Sequence, residues 1–164
     1  MTAKVAKKPA EAIGADLYDI CPAVPYNTKD LDWTNAQSRS SIEMNNKDYR
    51  PKLLDKAAPV AGADVVFVGF PVWWYREPSI IDSFLEAYDF TGKKIVPFAT
   101  SGGSDIGEEA PARMAEISGA EVLLYFVNRV SVKSEKLFPV FGSGIPFFRI
   151  GAWTALTLLK IFFL

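Results

Sequence analysis

The chain has 164 residues, enough for one compact domain with its own core and too few for two ordinary ones. Nearly half of the residues are hydrophobic, 13% are aromatic and the formal net charge is −1, a composition that folds and offers no broad basic surface to nucleic acid. The single cysteine, Cys21, and the lack of histidine exclude internal disulfides, zinc sites, Cys/His dyads and Ser-His-Asp triads, so redox chemistry would have to come from an organic cofactor.

Residues 2–13 read as a helix with Val5, Ala6, Ala10 and Ile13 near one face. Lys4, Lys7 and Lys8 read as its solvated side. Pro9 is an unfavourable interior residue, because it removes a donor and crowds the preceding turn. Gly14 is the expected stop. No apolar stretch follows the lysines, so this is not a secretory signal, and a reducing cytoplasm is the expected compartment.

Leu17 to Ile20 is a short strand candidate ended by Pro22 and Pro25. Residues 26–51 are polar and broken, with a short helix expected around 34–43. A long excursion of this kind is often functional. A second short helix is expected within 51–61. Val65 to Phe70 is continuously apolar and β-branched, the signature of a parallel strand buried on both faces. A helix from Ser79 to Tyr88, a strand from Ile95 to Ala99, a helix from Gly107 to Ser118 and a strand from Glu121 to Val127 follow. Strands alternating with helices imply right-handed crossovers and an α/β fold.

Beyond Val127 the pattern dissolves. Ser131 to Leu137 starts as a helix would, but Phe138 to Leu164 has no amphipathic period. Phe147 to Leu164 is strongly apolar yet interrupted by Arg149 and Lys160. Its uninterrupted part is shorter than the ~20 residues a bilayer span needs. Each cation would cost roughly 2.5–3.5 kcal/mol at the bilayer centre, so a membrane anchor is not expected.

Ligands of open parallel sheets sit beyond the carboxyl ends of the strands. Two turns of unusual composition fall there. Pro71-Val72-Trp73-Trp74-Tyr75 puts three aromatics directly after a buried strand. They cannot all face the core, and one that projects can cover a flat heteroaromatic ring. The alternative is packing of Trp73 and Trp74 on the neighbouring helix. Thr100-Ser101-Gly102-Gly103-Ser104 offers hydroxyls and, through its glycines, close approach of backbone N–H groups. The alternative is an ordinary turn with Ser104 or Asp105 as a helix cap.

Asp64 to Glu86, with Val-Gly-Phe-Pro-Val-Trp-Trp-Tyr followed by Pro78, Ile80 and Ile81, resembles the flavodoxin family. So does Ile95 to Gly107, with Pro-Phe-Ala-Thr-Ser-Gly-Gly-Ser. Asp30 to Trp33, Ser38 to Ser40 and Arg50-Pro51 resemble a bacterial branch of it. The likeness covers roughly residues 2–125. It implies a flavodoxin-like three-layer sandwich whose parallel sheet has the order 2-1-3-4-5 and holds one FMN. Pro71, Val72, Trp73, Trp74 and Tyr75 would flank the isoalloxazine, Trp74 first and Trp73 second as the stacking residue. Thr100, Ser101, Gly102, Gly103, Ser104 and Gly107 would line its pyrimidine edge.

A complete family member opens with a strand and a Ser/Thr/Gly loop that wraps the FMN phosphate at a helix amino terminus. Here residue 2 is already helical, and Thr2 matches the end of that loop at best. The first strand is expected to be missing, between the strands at Leu17 and Val65. Losing charge-assisted bonds of about 1.5–3 kcal/mol each would weaken FMN binding. Residues 1–130 are thus expected to form an incomplete flavodoxin-like domain and 131–164 a divergent apolar tail, of which Ala155 to Leu164 is a candidate to fill the open slot.

The expected activity is electron transfer through FMN to a redox partner protein, with no catalytic side chain and no metal. One alternative is an NAD(P)H-dependent flavin or quinone reductase on the same fold. The other is a fragment without function, or one that completes its sheet with another chain. Asp30, Asp32, Asp89 and Glu108 read as solvated charge, with steering of a basic partner as the alternative.

Overall fold

The structure is a computed structural model that describes residues 2–107, 109–123, 126–129, 138–140 and 159–164. It has the flavodoxin-like arrangement, a mainly parallel sheet between two helical layers. Helix α1 (Thr2–Ile13) leads to strand β1 (Asp16–Asp19), and a long loop carries α2 (Arg39–Asn45). Then come β2 (Val65–Pro71), α3 (Ser79–Ala87), β3 (Lys94–Ser101) and α4 (Glu109–Ser118). The short strands β4 (Glu121–Val122), β5 (Phe126–Arg129), β6 (Phe138–Val140) and β7 (Leu159–Phe163) follow. The sheet order is β1-β7-β2-β3-β5-β6, with β4 also paired to β3. Only the β5–β6 pairing is antiparallel among the described strands.

The two faces follow from strand alternation, since successive side chains point to opposite sides. On one face Val66, Val68, Phe70, Ile95, Ala99 and Phe162 meet Ile80, Ile81, Phe84 and Leu85 of α3 and Ala110 and Met114 of α4. On the other, Val65, Phe67, Val96, Phe98, Ile161 and Phe163 meet Val5, Ala6 and Ala10 of α1. The helix spans 2–13 as expected, and that three-residue face explains why it runs through the unfavourable Pro9. Tertiary burial outweighs the roughly 3 kcal/mol that an interior proline costs. Gly14, at φ +65°, ends the helix, and the Ala15 N–H closes back on the Ala10 carbonyl at 3.0 Å.

Three local expectations are corrected. The segment 51–61 forms no α-helix, only a 3₁₀ turn at Val60–Gly62. Its first part instead lies extended against the segment after β1: Ala23 donates to the Lys52 carbonyl and Leu54 to that of Cys21, each at 2.8 Å. The strand expected at Glu121–Val127 is divided into β4 and β5, both beside β3. The short helix of the excursion begins at Arg39 rather than near 34, where the Ser38 hydroxyl accepts from the Ser41 N–H as N-cap. The helical start expected at Ser131 to Leu137 lies outside the described residues, as does most of Phe147 to Leu164. Among the described residues no helix is long and apolar enough to cross a membrane.

The position expected to be vacant is filled. β7 lies between β1 and β2, parallel to both, with Leu17 opposite Ile161 and Phe67 opposite Ile161 on the other side. The ladder continues past the strand, where the Leu164 N–H donates to the Gly69 carbonyl at 2.9 Å. Lys160 pairs with Asp16 at the start of the slot. Phe162 is fully buried and touches the rings of Tyr18 and Phe84.

Phe162→Ala is expected to cost about 3–5 kcal/mol, because it deletes a large ring from a close-packed interior. Urea unfolding followed by circular dichroism measures it. An unchanged midpoint would mean that β7 does not occupy the slot.

Candidate functional site

β2 and β3 end side by side, so the turns that follow them emerge at one rim. The Val72 N–H donates to the Thr100 carbonyl at 2.9 Å and carries the ladder one step beyond Pro71. The chain then reverses in a tight turn. Trp73 and Arg76 exchange two backbone hydrogen bonds, at 2.9 and 3.0 Å. The central residues, Trp74 and Tyr75, take φ values of +45° and +67°. Such a turn normally uses asparagine and glycine, and each bulky residue held there costs of order 1–3 kcal/mol. The Gly107 N–H donates to the Tyr75 carbonyl at 2.6 Å and ties the turn to the approach to α4. A Cβ at Gly107 would lie 3.3 Å from that oxygen, which is why a glycine suits the contact.

Between the two turns lies a cleft of about 360 Å³. Seven residues of the expected set line it: Thr2, Pro71, Val72, Trp73, Thr100, Ser101 and Gly102. Gly103 and Ser104 are exposed beyond its edge, and the Gly103 N–H turns back onto the Ser101 hydroxyl at 3.1 Å. Trp74 and Tyr75 are also outside the lining, 44% and 65% exposed, and Gly107 supports the turn from behind. The indole on the cleft is therefore that of Trp73, with Trp74 facing solvent.

Tyr26, Leu31 and Leu164 complete the wall. None of the three was among the expected site residues. Tyr26 and Leu31 belong to the polar excursion, and Leu31 lies in the Asp30–Trp33 stretch that resembles a bacterial branch of the family. Leu164 arrives only because β7 docks. The Tyr26 ring meets Trp73 edge-on, with centroids 5.3 Å apart at 86°. It is held by a buried carboxylate: the Tyr26 hydroxyl donates to Glu43 Oε2 at 2.5 Å and Arg39 Nε donates to Oε1 at 2.7 Å. The Arg39 guanidinium also sits 4.1 Å over the Tyr26 ring. Burial, and next the bond to Glu43, push the Tyr26 hydroxyl far above its ordinary value, so it stays a donor.

A family model for flavodoxin matches residues 1–122. The chain belongs to the flavodoxin family. Two solved flavodoxin-like structures, both of provisionally assigned flavoproteins, resemble it. One, from Bacteroides eggerthii DSM 20697, is 43% identical with a TM-score of 0.72, covering 77% of this chain and 79% of that one. The other, from Bacteroides uniformis ATCC 8492, is 39% identical with a TM-score of 0.75, covering 81% and 85%. No curated protein matches. In flavodoxin terms, the cleft lies at the carboxyl edge of the sheet, where such folds take their ligands.

Beneath the turn lies a second set of charges. Glu77 and Asp82 are fully buried, and Arg76, Arg113 and Arg50 surround them. The shortest contact is Arg113 Nη2 to Asp82 Oδ2, 3.0 Å.

Tyr26→Phe is expected to destabilise the protein by about 1–3 kcal/mol, since Glu43 loses a donor that no solvent replaces. Chemical denaturation at neutral pH reads this, and a neutral substitution would show that the hydroxyl does not hold the ring.

Proposed function

We propose that the cleft binds the ring of FMN and that the protein transfers electrons through it. The observation that carries this reading is the convergence of an indole, Trp73, and a glycine-bearing turn, Thr100 to Gly102, on one cleft at the sheet's carboxyl edge. Membership of the flavodoxin family agrees with a flavin ligand. The volume falls within the range of about 300–1,000 Å³ usual for small-molecule sites. When bound, the flavin would accept and release the electrons. Trp73 would cover one face of the ring and keep water from it, while Val72, Leu31 and Leu164 supply apolar contact. The hydroxyls and backbone amides at Thr100 to Gly102 would meet its polar edge, and dipoles placed there tune a ring's affinity for electrons. Trp74, exposed on the same strained turn, is then a contact for the redox partner.

The fit is better for the ring than for the phosphate. The lining contains hydroxyls from Thr2, Thr100 and Ser101 but no lysine or arginine, and the Thr2 and Thr100 hydroxyls already bond one another at 3.0 Å. Affinity for the cleft would therefore rest on the ring.

One feature favours the reductase alternative. An open hollow of about 730 Å³, bordered by Trp33 and Asn27, shares Tyr26 and Leu31 with the cleft. A nicotinamide or quinone seated there would lie beside the flavin. NADPH oxidation with and without a quinone acceptor separates the two activities.

Titration of the purified protein with FMN and with riboflavin tests the cofactor reading. Both are expected to quench tryptophan fluorescence, with dissociation constants within about tenfold, because one lost charge-assisted bond already amounts to about 1.5–3 kcal/mol and none is expected here. Trp73→Ala should weaken both alike. No binding of either would remove the cofactor assignment, and FMN binding a thousandfold tighter than riboflavin would reveal a phosphate cradle.

A further inference from the structure

The buried carboxyls under the aromatic turn are unlike the others among the described residues. Glu77 Oε1 and Oε2 and Asp82 Oδ1 are buried and have no hydrogen-bond donor among the described residues. Glu43 is just as buried, but both of its oxygens accept from donors. Uncompensated burial favours the neutral acid. Burial first, and then repulsion from the Asp82 carboxylate, raises the Glu77 carboxyl from 4.5 to about 8. A proton on Glu77 turns an unpaired acceptor into a donor that can serve the neighbouring Asp82 carboxyl.

The neighbours of this pair come from every side. Arg76 precedes Glu77, with Nη1 at 3.7 Å from Glu77 and 3.6 Å from Asp82. Arg113 of α4 reaches Glu77 at 3.5 Å and Asp82 at 3.0 Å. Arg50, from the loop after α2, stands 3.8 Å from Asp82 while also bonding Glu86. The charge of Asp48 acts on Arg113, and the Lys47 carbonyl accepts from both Arg50 and Arg113. Arg76 is the important link, because its backbone closes the turn through Trp73 while its side chain donates to the Glu77 carbonyl at 3.1 Å and to Ser79 Oγ at 3.3 Å.

We propose that the Glu77–Asp82 pair is a proton-operated latch on the aromatic turn, with Arg76 as the positioning residue that transmits its state to Trp73. With one proton on the pair, the two carboxyls are joined and Arg76 is held in one arrangement. Without it, two adjacent anions repel and draw the guanidiniums into new pairings, which shifts the turn that Arg76 closes. The turn's strained φ values make the closed arrangement the one that needs support. The consequence for a ligand rests on the flavin reading: Trp73 would cover the ring best below the transition.

The sign follows from the raised value. Unfolded, Glu77 loses its proton near 4.5, whereas folding retains it to about pH 8. The stability this group contributes is fully present below pH 4.5 and is lost as pH rises through about 8.

Tryptophan emission of the ligand-free protein, followed from pH 6 to 9.5 with circular dichroism to confirm folding, tests the latch. The wild type should show one transition centred near pH 8. Glu77→Gln, a stand-in for the neutral acid, should abolish it and keep the low-pH spectrum. Asp82→Asn should move the midpoint to lower pH, which provides a test even where Glu77→Gln fails to fold. Replacing Trp73 and Trp74 by phenylalanine should remove the signal. The latch is overturned by a flat wild-type titration, by a transition that persists in Glu77→Gln, by an unmoved midpoint in Asp82→Asn, or by a signal that survives loss of both indoles. No flavin is present, so failure here leaves the cofactor reading intact, and failure of flavin binding leaves the latch intact.

Discussion

The arrangement of this protein depends on one strand position. Among the described residues, β1 pairs with the rest of the sheet only through β7. An interior parallel strand must be hydrogen-bonded on both edges and buried on both faces, and an empty slot would strand two rows of backbone donors and acceptors. β7 meets both demands within five residues, Leu159–Phe163. Ile161 and Phe163 fill the layer under α1, and Phe162 fills the opposite layer beside Phe84. Because α1 rests on β7 as well as on β2, the same strand fixes the helix whose first residue, Thr2, borders the cleft.

Above this foundation, two buried glutamates show how partners decide the fate of a charge. Glu43 has an O–H donor from Tyr26 and an N–H donor from Arg39, so both of its oxygens are satisfied and it holds an aromatic wall upright. Glu77 has guanidiniums at 3.5 and 3.7 Å, too far for strong hydrogen bonds, and a second carboxylate beside it. Coulomb attraction without hydrogen bonds does not compensate burial, so the proton stays. One acid fixes Tyr26 and the other governs the turn of Trp73, and those two rings touch.

Much of the fold was legible because the strands that matter most carry the strongest patterns. Val65 to Phe70 is apolar at every position since both of its faces are buried, and Ile95 to Ala99 repeats this. The residues of α1 were readable from a narrow apolar stripe. Boundaries failed where tertiary pairing overrode local preference, as in 51–61, which pairs with Cys21 to Ala23 rather than coiling. At the site, the two rim turns stood out by composition. Which indole faces the cleft did not, because a turn with φ > 0 at Trp74 and Tyr75 has no signature in those residue types. Tyr26 was hidden for a different reason: its position depends on Glu43, seventeen residues on, and a contact of that range leaves no period.

The cleft also joins the extremes of the sequence. Thr2 and Leu164 line the same space, and Pro71 to Trp73 and Thr100 to Gly102 complete it from the middle of the chain. In an ordinary βα unit a strand and the helix after it are covalently consecutive, so the rim between them forms early and locally. Here the strand in that position and the helix beside it are the most distant parts of the chain, and their meeting carries the largest loop-closure entropy in the fold. Leu164 can be a wall only when β7 is docked. A molecule bound in the cleft therefore favours the docked strand through mass action, in proportion to its occupancy. Ligand affinity and the stability of the central sheet are then one linked quantity, and a weakly bound ring loses affinity first wherever β7 is loosened.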